Sequence, residues 1–182
     1  MTRLSIKIIL LLCLSQVLHA QKRSDFEIQS PNGTLTLRVQ STEKLLWSVE
    51  HKGQQLIVPS SISLQLGNGS VLGDNARISS SKVEEVNSEF NAINYRKKVV
   101  KDHYNQLTLN CRGGYGLIFR IYNDAVAYRF FTNMKDEIII KNEEANFNFT
   151  DDHEAFIPYM WDYRDGKIFN CSFESLYTEQ KI

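Results

Sequence analysis

Toward its C-terminus the chain carries many carboxylates: Glu143, Glu144, Asp151, Asp152, Glu154, Asp162, Asp165 and Glu174. Cleaving the acetal bond between two sugars takes two carboxyl groups flanking that bond, one an acid and the other a base or nucleophile. Glu143–Glu144 and Asp151–Asp152 are adjacent in sequence, so on a strand their side chains point to opposite faces. They read as solvated loop charges, and the sequence commits no residue to catalysis. A second candidate is the stretch IYNDAVAYRF, with Asp124 and Arg129 close together. An acid–base role for Asp124 would need a partner, and the sequence names none. Asn and Asp tolerate positive φ better than most residues, so Asn123–Asp124 suits the centre of a two-residue hairpin turn. Arg129 then falls on the strand face opposite Val126 and Tyr128.

The segment PYMWDYRDG, Pro158 to Gly166, sets Tyr159, Trp161 and Tyr163 among Asp162, Arg164 and Asp165. Sugars present CH faces that stack on aromatic rings and hydroxyls that bond to carboxylates. Tyr159 and Trp161 are therefore the candidate substrate-binding residues. Two other roles stay open: Trp161 plugs the end of a core, since large rings dominate burial, or the loop packs on another domain. Beyond the leader the cysteines are Cys111 and Cys171, which either pair or stay as two small buried thiols. No CxxC or His-x-His pattern exists, which gives a zinc site little support. Sequons start at Asn32, Asn68, Asn148 and Asn170; they matter only in a host that glycosylates them.

The elements that must position these residues alternate with a period of two. GTLTLRVQ puts Leu35, Leu37 and Val39 on one face, NQLTLNC does so with Leu107, Leu109 and Cys111, and GLIFRIY with Leu117, Phe119 and Ile121. This alternation marks half-buried antiparallel strands. Turn signals separate the runs: PNG at Pro31–Gly33, HKGQQ at His51–Gln55, GNGS at Gly67–Ser70, LGDN at Leu72–Asn75 and RGGYG at Arg112–Gly116. Such spacing predicts an all-β antiparallel sandwich. Ser80–Glu89, with Val83 and Val86, comes closest to a helix but fits a strand as well.

The first twenty residues read differently. Arg3 and Lys7 precede an apolar run from Ile8 to Leu14, and a small residue follows at Ala20. This pattern predicts a secretory signal peptide over residues 1–20, cleaved near Ala20–Gln21. The run is too short to span a bilayer comfortably. Lipidation at Cys13 is disfavoured by the bulky Leu12 before it. Residues 21–182 make one domain, large enough to bury about 70% of its unfolded surface. The whole chain is balanced, with 21 basic and 21 acidic residues. The leader takes two basic residues with it, so the remainder is slightly acidic. Nothing suggests a nucleic-acid partner, which would want a basic stripe, and no other segment is predicted to cross a membrane.

Several stretches together resemble one family. They are SPNGTLTLRV, the hairpin from Trp47 to Ile57, PSSISLQL from Pro59, YNQLTL from Tyr104, LIFRIYNDAVAYRF, and FESLYT near the end. In order and spacing they are similar to the N-terminal β-sandwich domain of the glycoside hydrolase 97 family, exported bacterial α-glucosidases and α-galactosidases. The resemblance implies a large antiparallel sandwich of the galactose-mutarotase-like super-sandwich type, with no long helix apart from the signal peptide. It implies that the catalytic carboxylates sit in a separate (β/α)₈ barrel domain, which this domain supports. The partners implied are that barrel and an α-linked oligosaccharide, and the location is periplasmic or secreted. It also implies that Glu174, in FESLYT, is a calcium ligand shared with the barrel. Calcium takes six to eight oxygens, so Glu174 alone would hold no ion firmly. The chain departs from the family pattern at Ala125, where glycine is frequent, and in length. That leaves a fragment, a truncated product or a stand-alone relative. The alternatives are a secreted carbohydrate-binding module and a structural sandwich.

Overall fold

The computed structural model describes residues 24–93, 96–159 and 176–182. Every regular element in these residues is a strand, as the alternation predicts. One sheet runs β1 (Ser24–Gln29), β2 (Leu35–Ser41), β3 (Leu45–His51), β4 (Gln54–Leu66) and β10 (Ile140–Ala145), with the short β5 (Val71–Leu72) also on β4. A second runs β6 (Ile78–Asn91), β7 (Val99–Cys111), β8 (Tyr115–Ile121) and β9 (Val126–Thr132). The ribbon of β11 (Glu154–Pro158) and β12 (Tyr177–Lys181) stands apart as a third unit. All pairings are antiparallel.

The core forms where the apolar faces of the two large sheets meet. Leu37, Val39, Leu45 and Ile62 come from one sheet, and Leu107, Leu109, Leu117, Phe119 and Ile121 from the other; all are essentially sealed from solvent. Burying each such side chain contributes roughly 1.5–3 kcal/mol. The register is fixed by this pattern, since a slip of one residue would turn every apolar side chain outward. Tyr128 links the layers, its ring 5.7 Å from that of Trp47 and 5.9 Å from that of Phe119. Polar ties join them as well. Asn105 Nδ2 donates to the Gln29 carbonyl at 2.8 Å, and the Gly73 N–H to the Tyr115 hydroxyl at 3.3 Å.

The hairpin at Asn123–Asp124 is present, closed by the Tyr122 N–H donating to the Ala125 carbonyl at 2.8 Å. Its geometry corrects the expectation. Neither central residue has positive φ; among the described non-glycine residues only Lys52 and Asn75 do. The mirror-image turn lies instead at Lys52–Gly53, with φ of 50° and 82° between His51 and Gln54. Asn123 uses its side chain for a tertiary contact, its Oδ1 accepting from the Asn32 N–H at 3.0 Å. The two turns at this end of the sandwich are thereby tied together. Arg129 is exposed on the face opposite the core-packed Val126 and Tyr128, as expected.

Ser80–Glu89 belongs to strand β6, not to a helix. It is an edge strand: Val83 lies opposite the sealed Leu107 yet stays 59% exposed. The β6–β7 hairpin pairs from Ile78–Cys111 out to Asn91–Val99, whereas β8 pairs with β7 only as far as Asn105. Its distal half therefore projects beyond the sandwich.

Candidate functional site

Of the residues singled out for sugar or metal contact, Tyr159 is described. It follows β11 directly, with its ring half exposed. Trp161 and Glu174 lie outside the described residues, as do Asp162, Arg164, Asp165 and Cys171. The ribbon that carries Tyr159 exposes apolar side chains. Phe156, Leu176 and Tyr177 are 63%, 84% and 69% exposed. Pro158 lies opposite Tyr177 and Phe156 opposite Glu179, so Phe156 and Tyr177 share one ribbon face. Glu179, opposite Phe156, and the Glu154–Lys181 pair lie on that face too, so the exposed rings sit among charged neighbours.

Next to the ribbon the chain from Asn146 to His153 runs along β4. Val58 N–H donates to the Asn148 carbonyl and the Asn148 N–H to Ser60 Oγ, both at 2.9 Å, and Phe149 bridges to Ile57. The alternation in NFNFT sends Phe147 against the edge of Trp47, ring centroids 5.2 Å apart, and Phe149 against His153 at 5.9 Å. Phe149 and Asp151 line two open clefts. One, of about 580 Å³, adds Phe147, Asn148 and Ile182; the other, of about 430 Å³, adds Gln54, Leu56 and His153. Exposed rings beside amide, imidazole and carboxylate groups can stack on a CH face while bonding hydroxyls. The sequence reading missed these clefts. The available signal was two phenylalanines alternating with asparagines, and nothing local says that such a run meets the start of β4.

Glu144 corrects another expectation. It is not a solvated loop charge but a strand residue of β10 with several partners. Its carboxylate accepts from Ser61 Oγ at 2.8 Å, Ser63 Oγ at 3.0 Å, Asn146 Nδ2 at 3.1 Å and Lys44 Nζ at 3.2 Å. The Ser61 hydrogen bond, helped by Ser63 and Lys44, holds it below the usual glutamate range despite partial burial. Glu143 does point to the other face, toward Tyr128. Asp151, Asp152 and Glu154 are exposed. Glu144 is fully occupied with its neighbours, a structural arrangement and not a poised acid or base.

Among the described residues no group of three or more His, Cys, Asp or Glu side chains is placed to hold a metal ion. Cys111 carries a buried free thiol. Burial pushes it up to about 11, and pushes its neighbour Tyr115 up to about 12 with help from Cys111. A thiol held protonated in this way is a poor nucleophile.

Two opposed antiparallel sheets with a separate two-stranded ribbon define an all-β sandwich. The family model for the glycosyl-hydrolase 97 N-terminal domain matches residues 28–182, and the chain belongs to that family. A retaining alpha-galactosidase of Bacteroides thetaiotaomicron is 34% identical over 177 residues. That match takes in 95% of this chain and 27% of the relative, so the chain spans about a quarter of the length of the relative it matches. Among solved structures, a family 97 enzyme of Pseudoalteromonas sp. strain K8 in complex with acarbose superposes with a TM-score of 0.66 at 19% identity, over 74% of this chain and 22% of that one. A beta-arabinopyranosidase does so with a TM-score of 0.69 at 20% identity, over 85% and 26%. These superpositions place the fold in the same group.

Proposed function

We propose that this chain is the non-catalytic N-terminal domain of an exported α-glycosidase, supporting a catalytic barrel and framing its active-site rim. The observation that carries the reading is the pair of exposed rings on the β11–β12 ribbon, Phe156 with Tyr177 among charged neighbours, at the end of a domain matched to an N-terminal family model. A face of this kind gains by being covered, at roughly 25 cal/mol for each Å² of apolar surface removed from water. The barrel is the proposed cover and an α-linked oligosaccharide the proposed substrate. Tyr159 and Trp161 are the proposed sugar contacts at the rim, and Glu174 is proposed as one oxygen donor to a calcium ion shared with the barrel. Residues 1–20 are proposed as the leader, with mature protein beginning near Gln21 in the periplasm or outside the cell.

The test is a chimera in which this domain replaces the matching quarter of the Bacteroides thetaiotaomicron relative. The chimera should hydrolyse a nitrophenyl α-galactoside, and Phe156→Asp with Tyr177→Asp should lower its activity and its melting temperature together. An active chimera indifferent to both changes would refute the docking role of the ribbon.

A second reading, an independent sugar-binding module, draws on the clefts at Phe147 and Phe149. Under it the chain alone would be retained on an immobilised α-glucan, and Phe149→Ala would abolish the retention.

A further inference from the structure

The outward face of the second sheet carries an unusual pair of cations. Arg120 and Arg129 lie on β8 and β9, in diagonal positions of one face, because Arg120 pairs with Ala127 and Ile118 pairs with Arg129. Diagonal neighbours on a sheet are within reach of long side chains. Both arginines line the same open concavity of about 210 Å³, together with Ile118, Ala127 and Tyr122. No carboxylate lines it. On the first sheet Arg38 meets Glu27 at 3.1 Å and Glu50 at 3.5 Å, and in the turn before β3 Lys44 meets Glu144. Neither Arg120 nor Arg129 forms an ion pair among the described residues.

Arg120 is also held in place. Its Nε donates to Gln106 Oε1 at 3.0 Å, and its guanidinium lies 4.4 Å from the centroid of the Tyr104 ring. Tyr104 is nearly sealed although it sits on an outward face, and its ring packs against Tyr122 at 5.1 Å. Arg120 also hydrogen-bonds the Tyr122 hydroxyl, so only the remaining N–H groups of its fork are left for a ligand. A guanidinium fixed in this way loses less freedom on binding than a free one. Tyr122 in turn donates to Asp102 Oδ1 at 3.3 Å. The acid behind Tyr122 lowers the local excess from two positive charges toward one, which suits a monoanion. Glu84, one strand further across, is occupied by Lys82 at 2.6 Å. Ile118 and Ala127 offer an apolar floor for a carbon body.

We infer that this concavity binds a small carboxylate, one oxygen toward each arginine and its carbon skeleton against Ile118 and Ala127. The experiment is calorimetric titration of the full chain at fixed ionic strength with sodium glucuronate, glucose and inorganic phosphate. Glucuronate is expected to saturate, glucose to give no binding heat, and phosphate to bind distinctly more weakly. Arg129→Gln, an exposed position that leaves the core untouched, should weaken glucuronate by about tenfold or more, the worth of one charged hydrogen bond. Arg120→Gln should do the same, and Arg38→Gln on the other sheet should change nothing. Absence of saturable glucuronate binding, unchanged affinity in Arg129→Gln, or phosphate bound as tightly as glucuronate would each overturn the assignment.

Discussion

At the scale of the residue, Glu144 shows how far a carboxylate's role depends on neighbours distant in sequence. Lys44, in the turn before β3, and Ser61 and Ser63 of β4 meet it only because β10 pairs with β4. Its value is lowered in the folded state, so the stability it contributes is complete above the unfolded-state value and is lost as pH falls through the lower folded-state value. Glu144→Gln should therefore lower the melting temperature at neutral pH, and the gap from wild type should narrow on acidification below the glutamate range. A gap constant from neutral to strongly acidic pH would separate the effect from ionisation. Glu174 calls for a different measurement. Under the shared-site reading, the isolated chain should bind calcium weakly, since one carboxylate gives at most two of the six to eight oxygens needed. Calorimetric calcium titration of the chain and of the chimera, each with Glu174→Gln, tests this. The substitution should lower affinity in the chimera alone, and tight binding by the isolated chain, lost on substitution, would show a complete local site.

At the scale of the element, the strands were the most legible part. Leu35–Val39, Leu107–Cys111 and Leu117–Ile121 alternate because one face is sealed, and the sealed residues are those the alternation names. Turn geometry was less legible. Asn123–Asp124 had suitable chemistry for positive φ, yet the strained turn fell on Lys52–Gly53. There the hairpin leaves two residues between paired strands and the second is glycine. The role of Ser80–Glu89 was ambiguous because an edge strand has weak alternation when its inner face is incompletely covered. The candidate site was legible only in its residue types. The Phe149 clefts and the Arg120–Arg129 pair depend on strand register, which no local spacing states. Register also explains Gly116. It sits in β8 opposite Asn110 and Phe131, where a Cβ would overlap the Leu109 carbonyl and the Phe131 ring. Gly116→Ala should destabilise the β7–β8–β9 pairing by about 1–3 kcal/mol, as overpacking does, measurable by urea denaturation. An unchanged midpoint would show that the Leu109 backbone and the Phe131 ring can both shift at no cost.

At the scale of the whole molecule, a sandwich with a sealed core coexists with a ribbon whose rings Phe156 and Tyr177 stand exposed. Under the proposed function, the ribbon is the surface that meets a second domain. Chemistry on a glycosidic bond needs two carboxyl groups held across it. Of the candidates described here, Glu144 is tied up by four neighbours, while Asp151, Asp152 and Glu154 stand exposed. Under the proposed function, bond cleavage falls to the barrel and support to this chain. The most direct test is steady-state hydrolysis of a nitrophenyl α-galactoside by the pure 182-residue chain, with the chimera as positive control. The account predicts no turnover above the buffer rate for the chain alone. Steady turnover by the chain, abolished by a single substitution such as Asp151→Asn, would contradict it.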